Sequence, residues 1–74
     1  VHPREIFKEA MRHSASSIIC AHNHPGGNVE PSLADQQVTR QIVACGKLVG
    51  IPLLDHIIVG PDAWYSFRQS GFID

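Results

Sequence analysis

The sequence predicts an α/β domain built around a βαβ unit. Two short apolar runs, residues 17–21 and 53–60, have the length and composition of buried strands. Between them lies a longer segment whose apolar residues recur at spacings of three or four, which is typical of a helix. Loop and stop signals at residues 25–28, Gly50 and Pro52 separate this segment from both runs. Because strands joined by a helix are nearly always parallel with a right-handed crossover, we expect that arrangement here.

The first predicted element is a short amphipathic helix that begins at Pro3. Proline suits the first helical position, where its missing N–H would have no partner in any case. Residues 13–16 are expected to end the helix. The apolar side chains that share one face are Ile6, Phe7, Ala10 and Met11.

The strand at residues 17–21 follows, with apolar side chains on both faces. A strand of this kind is usually covered on two sides, so we expect helices to flank the sheet. Cys20 in this strand and Cys45 in the next helix are expected to be small buried hydrophobic residues. Two cysteines fall short of a disulfide framework.

The second helix is expected to run from Ser32, a good N-cap, to Gly50. Pro31 keeps residue 30 extended, and Lys47 near the end with Pro52 beyond it strengthens the stop. The predicted apolar face consists of Leu33, Ala34, Val38, Ile42, Cys45 and Val49. The strand at residues 53–60 comes next, and a turn at residues 61–63 leads into a short further strand at residues 64–67.

Composition limits the classes of function. Six Lys+Arg against seven Asp+Glu give a net charge of −1, and no basic run occurs, so direct nucleic-acid binding has no electrostatic support. No apolar stretch approaches the roughly 20 residues that a membrane span needs. We therefore expect a cytoplasmic protein without membrane contact.

The chain is short for a domain. Seventy-four residues make at most one domain, and a chain of this size buries a small fraction of its surface. Because the sequence starts at Val1 directly before a helix, we expect a partial domain whose N-terminal strands are missing. Open sheet edges are then expected to pair with a second copy, which predicts a homo-oligomer, or to serve as an association surface.

The residues that carry chemistry lie between the first strand and the second helix. His22 and His24 are two apart where the strand emerges, so both rings can point to one side, about 7 Å apart at the backbone. The first acid in a defined setting beyond the loop is Asp35. Two histidines and a carboxylate are a recurrent zinc set, and an open fourth position holds a water whose pKa falls to about 7. The pattern therefore indicates a catalytic rather than a structural metal site.

Each of these residues also has a structural interpretation. A serine N-cap with an acid three residues later approximates a capping box, so Ser32 and Asp35 suit a helix start without any metal. A carboxylate bound to zinc has less freedom to cap, so the two roles are expected to coexist only in part. The alternative for His22 and His24 is a pair of loop histidines.

Asp55 and His56 are further candidates in the second strand. They are adjacent and so face opposite sides, which argues against a joint role at one site. One of them is a candidate for the residue that orients a ligand imidazole from behind. A purely structural hydrogen bond is an equal alternative.

The spacing His-x-His, seven residues, Ser, two residues, Asp resembles the signature of the JAMM (MPN-type) metalloproteases, and it is complete at His22, His24, Ser32 and Asp35. Longer stretches are similar to the bacterial RadC family. They are Pro3-Arg4-Glu5, Ala21-His22-Asn23-His24-Pro25, Pro31-Ser32 and Leu54-Asp55-His56-Ile57-Ile58-Val59-Gly60. The resemblance covers nearly the whole chain and implies that residues 1–74 are part of a three-layer JAMM/MPN (cytidine-deaminase-like) domain.

The resemblance also implies roles for individual residues. Zinc would be held by His22, His24 and Asp35, and Ser32 would donate a hydrogen bond to the oxyanion of a tetrahedral intermediate. The relatives use a glutamate on an earlier strand as general base, and its position falls before Val1, outside this chain. Gly26 departs from the serine that is common in the family, which concerns the loop conformation rather than the ligands.

The leading functional interpretation is zinc-dependent hydrolysis of an amide or isopeptide bond in a peptide or isopeptide substrate. The second is a non-catalytic metal-binding partner or scaffold module, which the missing base favours. A metal-dependent nuclease would prefer carboxylate-rich magnesium sites and a basic groove, and neither is present in the sequence. RadC proteins are traditionally described as DNA repair proteins, and the charge of this chain gives that description no support.

Overall fold

The computed structural model describes residues 2–74, which form two helices and a three-stranded mixed sheet. In chain order the elements are α1 Pro3–Arg12, β1 Ile18–Asn23, α2 Leu33–Val49, β2 Leu53–Val59 and β3 Trp64–Ser66. The sheet order is β1-β2-β3, with β1 parallel to β2 and β3 antiparallel to β2. The α/β class and the parallel βαβ unit are therefore confirmed, and the short last strand is also present.

Helix α1 begins at Pro3 as predicted and packs chiefly against α2. Phe7 and Ala10 are buried and Ile6 is partly buried, whereas Met11 is 53% exposed. The prediction that Met11 belongs to the buried face is wrong, because the buried part of that face is limited to Phe7 and Ala10.

Helix α2 has the predicted start and stop, with Ser32 as N-cap and Gly50 as C-cap in the left-handed conformation at φ 76°. Its buried face differs from the predicted one. Thr39, Ile42 and Gly46 are the buried residues, while Leu33 is 70% exposed. Ala34 and Val49 are exposed as well. Gly46 lies where α2 closely approaches α1 and the start of β2. The apolar residues at the two ends of α2 extend beyond this contact and are exposed.

Strand β1 is covered on one face only among residues 2–74. Ile18, Cys20 and His22 are partly buried on the side of the helices, whereas alternate residues are exposed, including Ile19 at 61%. The expectation of helices on both sides of the sheet is therefore not confirmed in the part of the chain that the structure describes. Both helices line the same side of β1, since Ile6 of α1 and Ile42 of α2 border one pocket with Cys20.

The core lies between this covered face and the two helices. Phe7, Ile42, Ile58 and Phe67 are its most deeply buried large side chains. Cys20 and Cys45 are free thiols and only partly buried, so the expectation of buried cysteines holds in part. Burial raises the pKa of the Cys20 thiol. No helix within residues 2–74 is long and apolar enough to span a bilayer.

Candidate metal centre

The end of β1 and the start of α2 bring the predicted ligands to one place. His22 lies in β1 and His24 one residue beyond its end, where the His24 N–H donates to the Val59 carbonyl at 2.8 Å. This bond continues the pairing with β2, so both histidines stay in extended chain and point to the same side. Their ring centroids are 4.7 Å apart. Asp35 reaches the pair from the first turn of α2.

Three side chains converge on one point. The Nε2 atoms of His22 and His24 are 2.9 Å apart. The Asp35 carboxylate lies 3.2 Å from His22 Nε2 through Oδ1 and 3.4 Å from His24 Nε2 through Oδ2. One ligand atom from each residue lies within 4.8 Å of the other two, and all three side chains are partly buried. The structure thus brings together the three residues that the sequence indicated as metal ligands.

The loop after His24 fixes the orientation of that ring. The Gly27 N–H donates to the His24 carbonyl at 3.1 Å, and Gly27 adopts φ 92°, a left-handed conformation that glycine tolerates best. The chain then brings the Asn28 carbonyl to 2.9 Å from His24 Nδ1. A carbonyl can only accept, so Nδ1 carries the hydrogen and the lone pair of Nε2 points toward Asp35. Metal-binding histidines show this arrangement.

The donor set fits zinc. Two imidazole nitrogens and a carboxylate oxygen are ligands that zinc takes in three-ligand sites. The His24 ring presents an unprotonated Nε2 to His22 and Asp35, because its hydrogen is on Nδ1. The three residues would therefore hold the ion that the sequence pattern indicated.

Ser32 and Asp35 form a complete capping box. The Asp35 N–H donates to Ser32 Oγ at 3.1 Å, and the Ser32 N–H donates to Asp35 Oδ2 at 2.9 Å. That the two roles coexist only in part once a metal is bound stays a prediction. The carboxylate makes its capping bond and still faces both histidines, because its two oxygens have several lone pairs directed to different sides.

The charge on Asp35 follows from these contacts. Partial burial raises the pKa of this carboxyl, but the hydrogen bonds from Ser32 and the neighbouring His22 and His24 lower it by more in sum. The pKa therefore lies below the ordinary aspartate value. Asp35 is an anion at neutral pH, as a metal ligand must be.

Asp55 and His56 face different surroundings. Asp55 accepts hydrogen bonds from Ser66 Oγ at 2.6 Å and from the backbone N–H groups of His56 and Arg68, so it ties the chain after β3 to β2. It makes no hydrogen bond with the candidate ligands among residues 2–74. His56 instead places Nε2 2.9 Å from His22 Nδ1. Of the two residues, His56 is the one that lies behind the imidazole of a candidate ligand.

Sequence reasoning missed Thr39. Its side chain is fully buried, and Oγ1 lies 2.6 Å from His56 Nδ1 and donates to the Asp35 carbonyl at 2.7 Å. The signal was present as a polar residue inside the apolar stripe of α2, one turn after Asp35.

At Gly26, where the sequence departs from the serine of the family, the space that a Cβ would occupy is open and φ is not left-handed. A serine would therefore fit there.

A pocket of about 410 Å³ adjoins the candidate ligands. Its walls include Ile6, Cys20, Val38 and Ile42. Among residues 2–74, Asp35 is the one residue with a carboxylate that lines the pocket. No glutamate of the same range lines it. The glutamates that the structure describes are surface residues, and Glu9 pairs with Arg12 and His13 on α1.

Comparison with known proteins agrees with the α/β fold. A family model described as a RadC-like JAB domain matches residues 1–72. The chain is 52% identical over 73 residues to a UPF0758 protein of Clostridioides difficile (strain 630), which covers 99% of this chain and 31% of the relative. A UPF0758 protein of Geobacillus sp. (strain WCH70) is 51% identical over 73 residues, again 99% of this chain and 32% of the relative.

A UPF0758 protein of Bacillus pumilus (strain SAFR-032) is 52% identical over 73 residues, which is 99% of this chain and 33% of the relative. The chain thus spans about a third of the length of the curated relatives it matches. The family match extends over nearly every residue of the chain, including both histidines, Ser32 and Asp35. The chain belongs to the RadC-like JAB domain family.

Proposed function

We propose that this chain forms the metal-binding part of a zinc-dependent hydrolase of the JAMM/MPN type, which cleaves an amide or isopeptide bond of a peptide substrate. The observation that carries the proposal is the convergence of His22 Nε2, His24 Nε2 and the Asp35 carboxylate. Three such ligands leave a position open on zinc, which is the pattern of catalytic rather than structural sites.

The chemistry is divided between the ion and the chain. Bound zinc supplies Lewis acidity and lowers the pKa of a coordinated water to about 7. The chain contributes the orientation of both imidazoles and the negative charge of Asp35. Ser32 Oγ accepts from the Asp35 N–H, and its own hydrogen remains to be donated, either to the carboxylate or to an oxyanion. One such donor is worth about 10²–10³ in turnover.

The general base is proposed to lie in the rest of the protein. No glutamate of residues 2–74 borders the pocket beside the ligands. The chain spans about a third of the length of the relatives it matches. We propose that the remainder supplies both the base and the third layer of the domain. The cytoplasmic location and the peptide or isopeptide substrate stay predictions.

The missing base also supports a second candidate function. A non-catalytic metal-binding module would keep the ion and the fold as a platform for a partner protein. It differs from the hydrolase in one measurable respect, since the whole protein would bind zinc and hydrolyse nothing.

Elemental analysis of protein purified without chelator tests the metal proposal. We expect one zinc per chain for the parent and for His13→Ala, which removes an exposed histidine on α1. His24→Ala should lose most of the zinc. Zinc well below one equivalent after reconstitution, or a site closed by four protein ligands in X-ray absorption, would contradict the proposal.

Hydrolysis assays then separate the two functions. The 74-residue chain is expected to turn over no substrate in a panel of peptides and isopeptides, because proton transfer by a base typically contributes about 10²–10⁴-fold. The full-length protein should turn over at least one of them, and His24→Ala should abolish that turnover. A full-length protein that holds zinc and cleaves none of the panel would favour the binding module.

A further inference from the structure

We propose that His56 and Thr39 are positioning residues, which hold the His22 imidazole in the tautomer that metal binding requires. The inference rests on the proposed zinc site and adds the residues that prepare it. It is carried by a chain of hydrogen bonds that starts at a backbone carbonyl of α2, passes through two side chains and ends at His22. We call this series of hydrogen bonds the His22 relay.

The His22 relay consists of three contacts. Thr39 Oγ1 lies 2.7 Å from the Asp35 carbonyl oxygen. His56 Nδ1 lies 2.6 Å from Thr39 Oγ1. His22 Nδ1 lies 2.9 Å from His56 Nε2. The first and third distances are ordinary for hydrogen bonds, and the second is slightly shorter than is usual for an N–H···O bond.

The direction of each bond follows from the first. A carbonyl oxygen only accepts, so the one hydroxyl hydrogen of Thr39 is given to Asp35 O. Thr39 Oγ1 can then only accept from His56, which places a hydrogen on His56 Nδ1. A neutral imidazole carries one ring hydrogen, so His56 Nε2 is an acceptor and His22 Nδ1 must donate to it. His22 Nε2 is left with a lone pair directed at Asp35 and His24.

Burial makes the His22 relay rigid. Thr39 is 0% exposed and His56 4% exposed. The His56 ring stacks on Phe67 with centroids 4.8 Å apart and planes 8° from parallel, so the ring is held in one orientation. Every buried side-chain polar atom of residues 2–74 has a partner, so this polar network is complete.

The consequence at the metal centre is a pair of opposed lone pairs. His24 is fixed by a backbone carbonyl, and His22 is fixed by the His22 relay. Their Nε2 atoms are 2.9 Å apart, yet neither neutral ring has a hydrogen there to donate. Two lone pairs and a carboxylate at this distance repel unless a cation lies among them. The folded chain is thus prepared for a metal ion before the ion binds.

Substitutions at His56 test the inference in zinc-free protein. His56→Phe keeps the ring and its stacking on Phe67 but cannot accept from His22, whereas His56→Gln offers an amide oxygen to His22 and an N–H to Thr39. Ring ¹⁵N NMR at a pH about two units above the ordinary imidazole pKa reports the His22 tautomer. We expect Nδ1–H in the parent, largely Nδ1–H in His56→Gln, and a shift toward Nε2–H in His56→Phe.

Zinc titrations provide a second measurement on the same variants. Loss of a partner behind a metal-binding histidine typically costs about 10–100-fold in metal affinity. We expect a loss in this range for His56→Phe and a smaller one for His56→Gln. Thr39→Val, which replaces the hydroxyl with a methyl group, should weaken zinc binding about 10-fold, and Thr39→Ser should bind zinc as the parent does. If His56→Phe does not fold, the comparison of Thr39→Val with Thr39→Ser tests the inference instead.

The outcomes separate this inference from the proposed function. A parent that binds no zinc but shows His22 as Nδ1–H, with the tautomer changed in His56→Phe, would refute the metal site and leave the His22 relay intact. Dominant Nε2–H at His22 in the zinc-free parent would overturn the inference. Equal zinc affinity and an unchanged His22 tautomer in both His56→Phe and Thr39→Val would overturn it as well.

Discussion

Asp35 connects a helix start to the candidate metal centre. Its Oδ2 accepts the Ser32 N–H at 2.9 Å, while Oδ1 faces His22 Nε2 at 3.2 Å. Its backbone carbonyl accepts the hydroxyl of Thr39 at 2.7 Å. One residue therefore caps α2, presents a charge to the metal centre and anchors the bonds behind His22. Separating these roles requires changes that remove one interaction at a time.

Asp35→Asn removes the charge but keeps an oxygen that can accept the Ser32 N–H. We expect it to weaken zinc binding by more than about 100-fold, beyond the loss expected for a partner outside the ligand set, with little change in thermal stability. Ser32→Ala should cost about 0.5–2 kcal/mol of stability and leave zinc bound. Thermal melts with and without zinc, beside metal titrations, measure both effects.

Ser16→Ala, at an exposed serine between α1 and β1, serves as the control and should change neither zinc affinity nor thermal stability. If Asp35→Asn binds zinc as tightly as the parent, Asp35 is a helix cap only. The metal site would then need a different third ligand.

The second residue-scale prediction concerns acid and His56. Burial is the main cause that lowers the pKa of His56, and the charge of His22 lowers it further. The charges of Asp35 and Asp55 act in the opposite direction and raise this pKa by less. The unfolded chain protonates this ring near its ordinary pKa of about 6.5, whereas the folded chain does so only at lower pH. Below about 6.5 the unfolded state binds more protons, so the free energy of unfolding falls as pH drops toward the folded-state pKa.

Denaturant unfolding of zinc-free protein between about pH 8 and pH 5 checks this dependence, since the unfolded ring titrates near 6.5. His56→Phe should show a shallower decline over the same interval, because the titrating group is gone. An identical slope in parent and variant would mean that His56 has an ordinary pKa in the folded protein.

At the scale of elements, small residues set how closely α2 approaches its neighbours. A Cβ on Gly46 would lie 2.5 Å from the Ile51 carbonyl oxygen and 3.4 Å from Phe7 Cζ. The Ile51 N–H donates to the Gly46 carbonyl at 2.9 Å, which closes the chain from α2 into β2. The glycine therefore allows α1, α2 and the start of β2 to meet at one point.

Gly46→Ala tests this close approach. The added methyl must displace backbone rather than a flexible side chain, so we expect a loss of about 1–3 kcal/mol in the free energy of unfolding. That loss exceeds the helix-propensity gain of up to about 1 kcal/mol. Gly26→Ala is the matched control: no atom lies within 4 Å of the added carbon, and the change should stay within about 0.5 kcal/mol. Equal or higher stability of Gly46→Ala would show that the contact is looser than described.

At the scale of the whole molecule, one face of the sheet is open in residues 2–74. Ile19 is 61% exposed on β1, and Val59 and Trp64, which pair across β2 and β3, are 43% and 58% exposed. Strand β1 also lies at an edge of the sheet. Exposed apolar sheet faces and unpaired edges favour association with another chain.

We expect the 74-residue chain to self-associate as its concentration rises. Ile19→Lys places a charge on the open face and should shift the chain toward monomer in sedimentation velocity, without loss of zinc. Leu48→Lys changes a side chain that is 88% exposed on α2, away from the sheet, and should leave association unchanged. A chain that stays monomeric at every concentration would show that the open face does not drive association.

The sequence by itself determined the order of elements, the start and stop of α2 and the set of His22, His24 and Asp35. These features depend on signals within a few residues, such as caps, breakers and short spacings. The tertiary structure decided which face of β1 is covered, that Met11 and Leu33 are exposed, and that His56 rather than Asp55 meets His22. His22 and His56 are 34 residues apart, and strand pairing alone places them on one side of the sheet. No local pattern contains that register, because strand pairing joins residues that are far apart in the sequence.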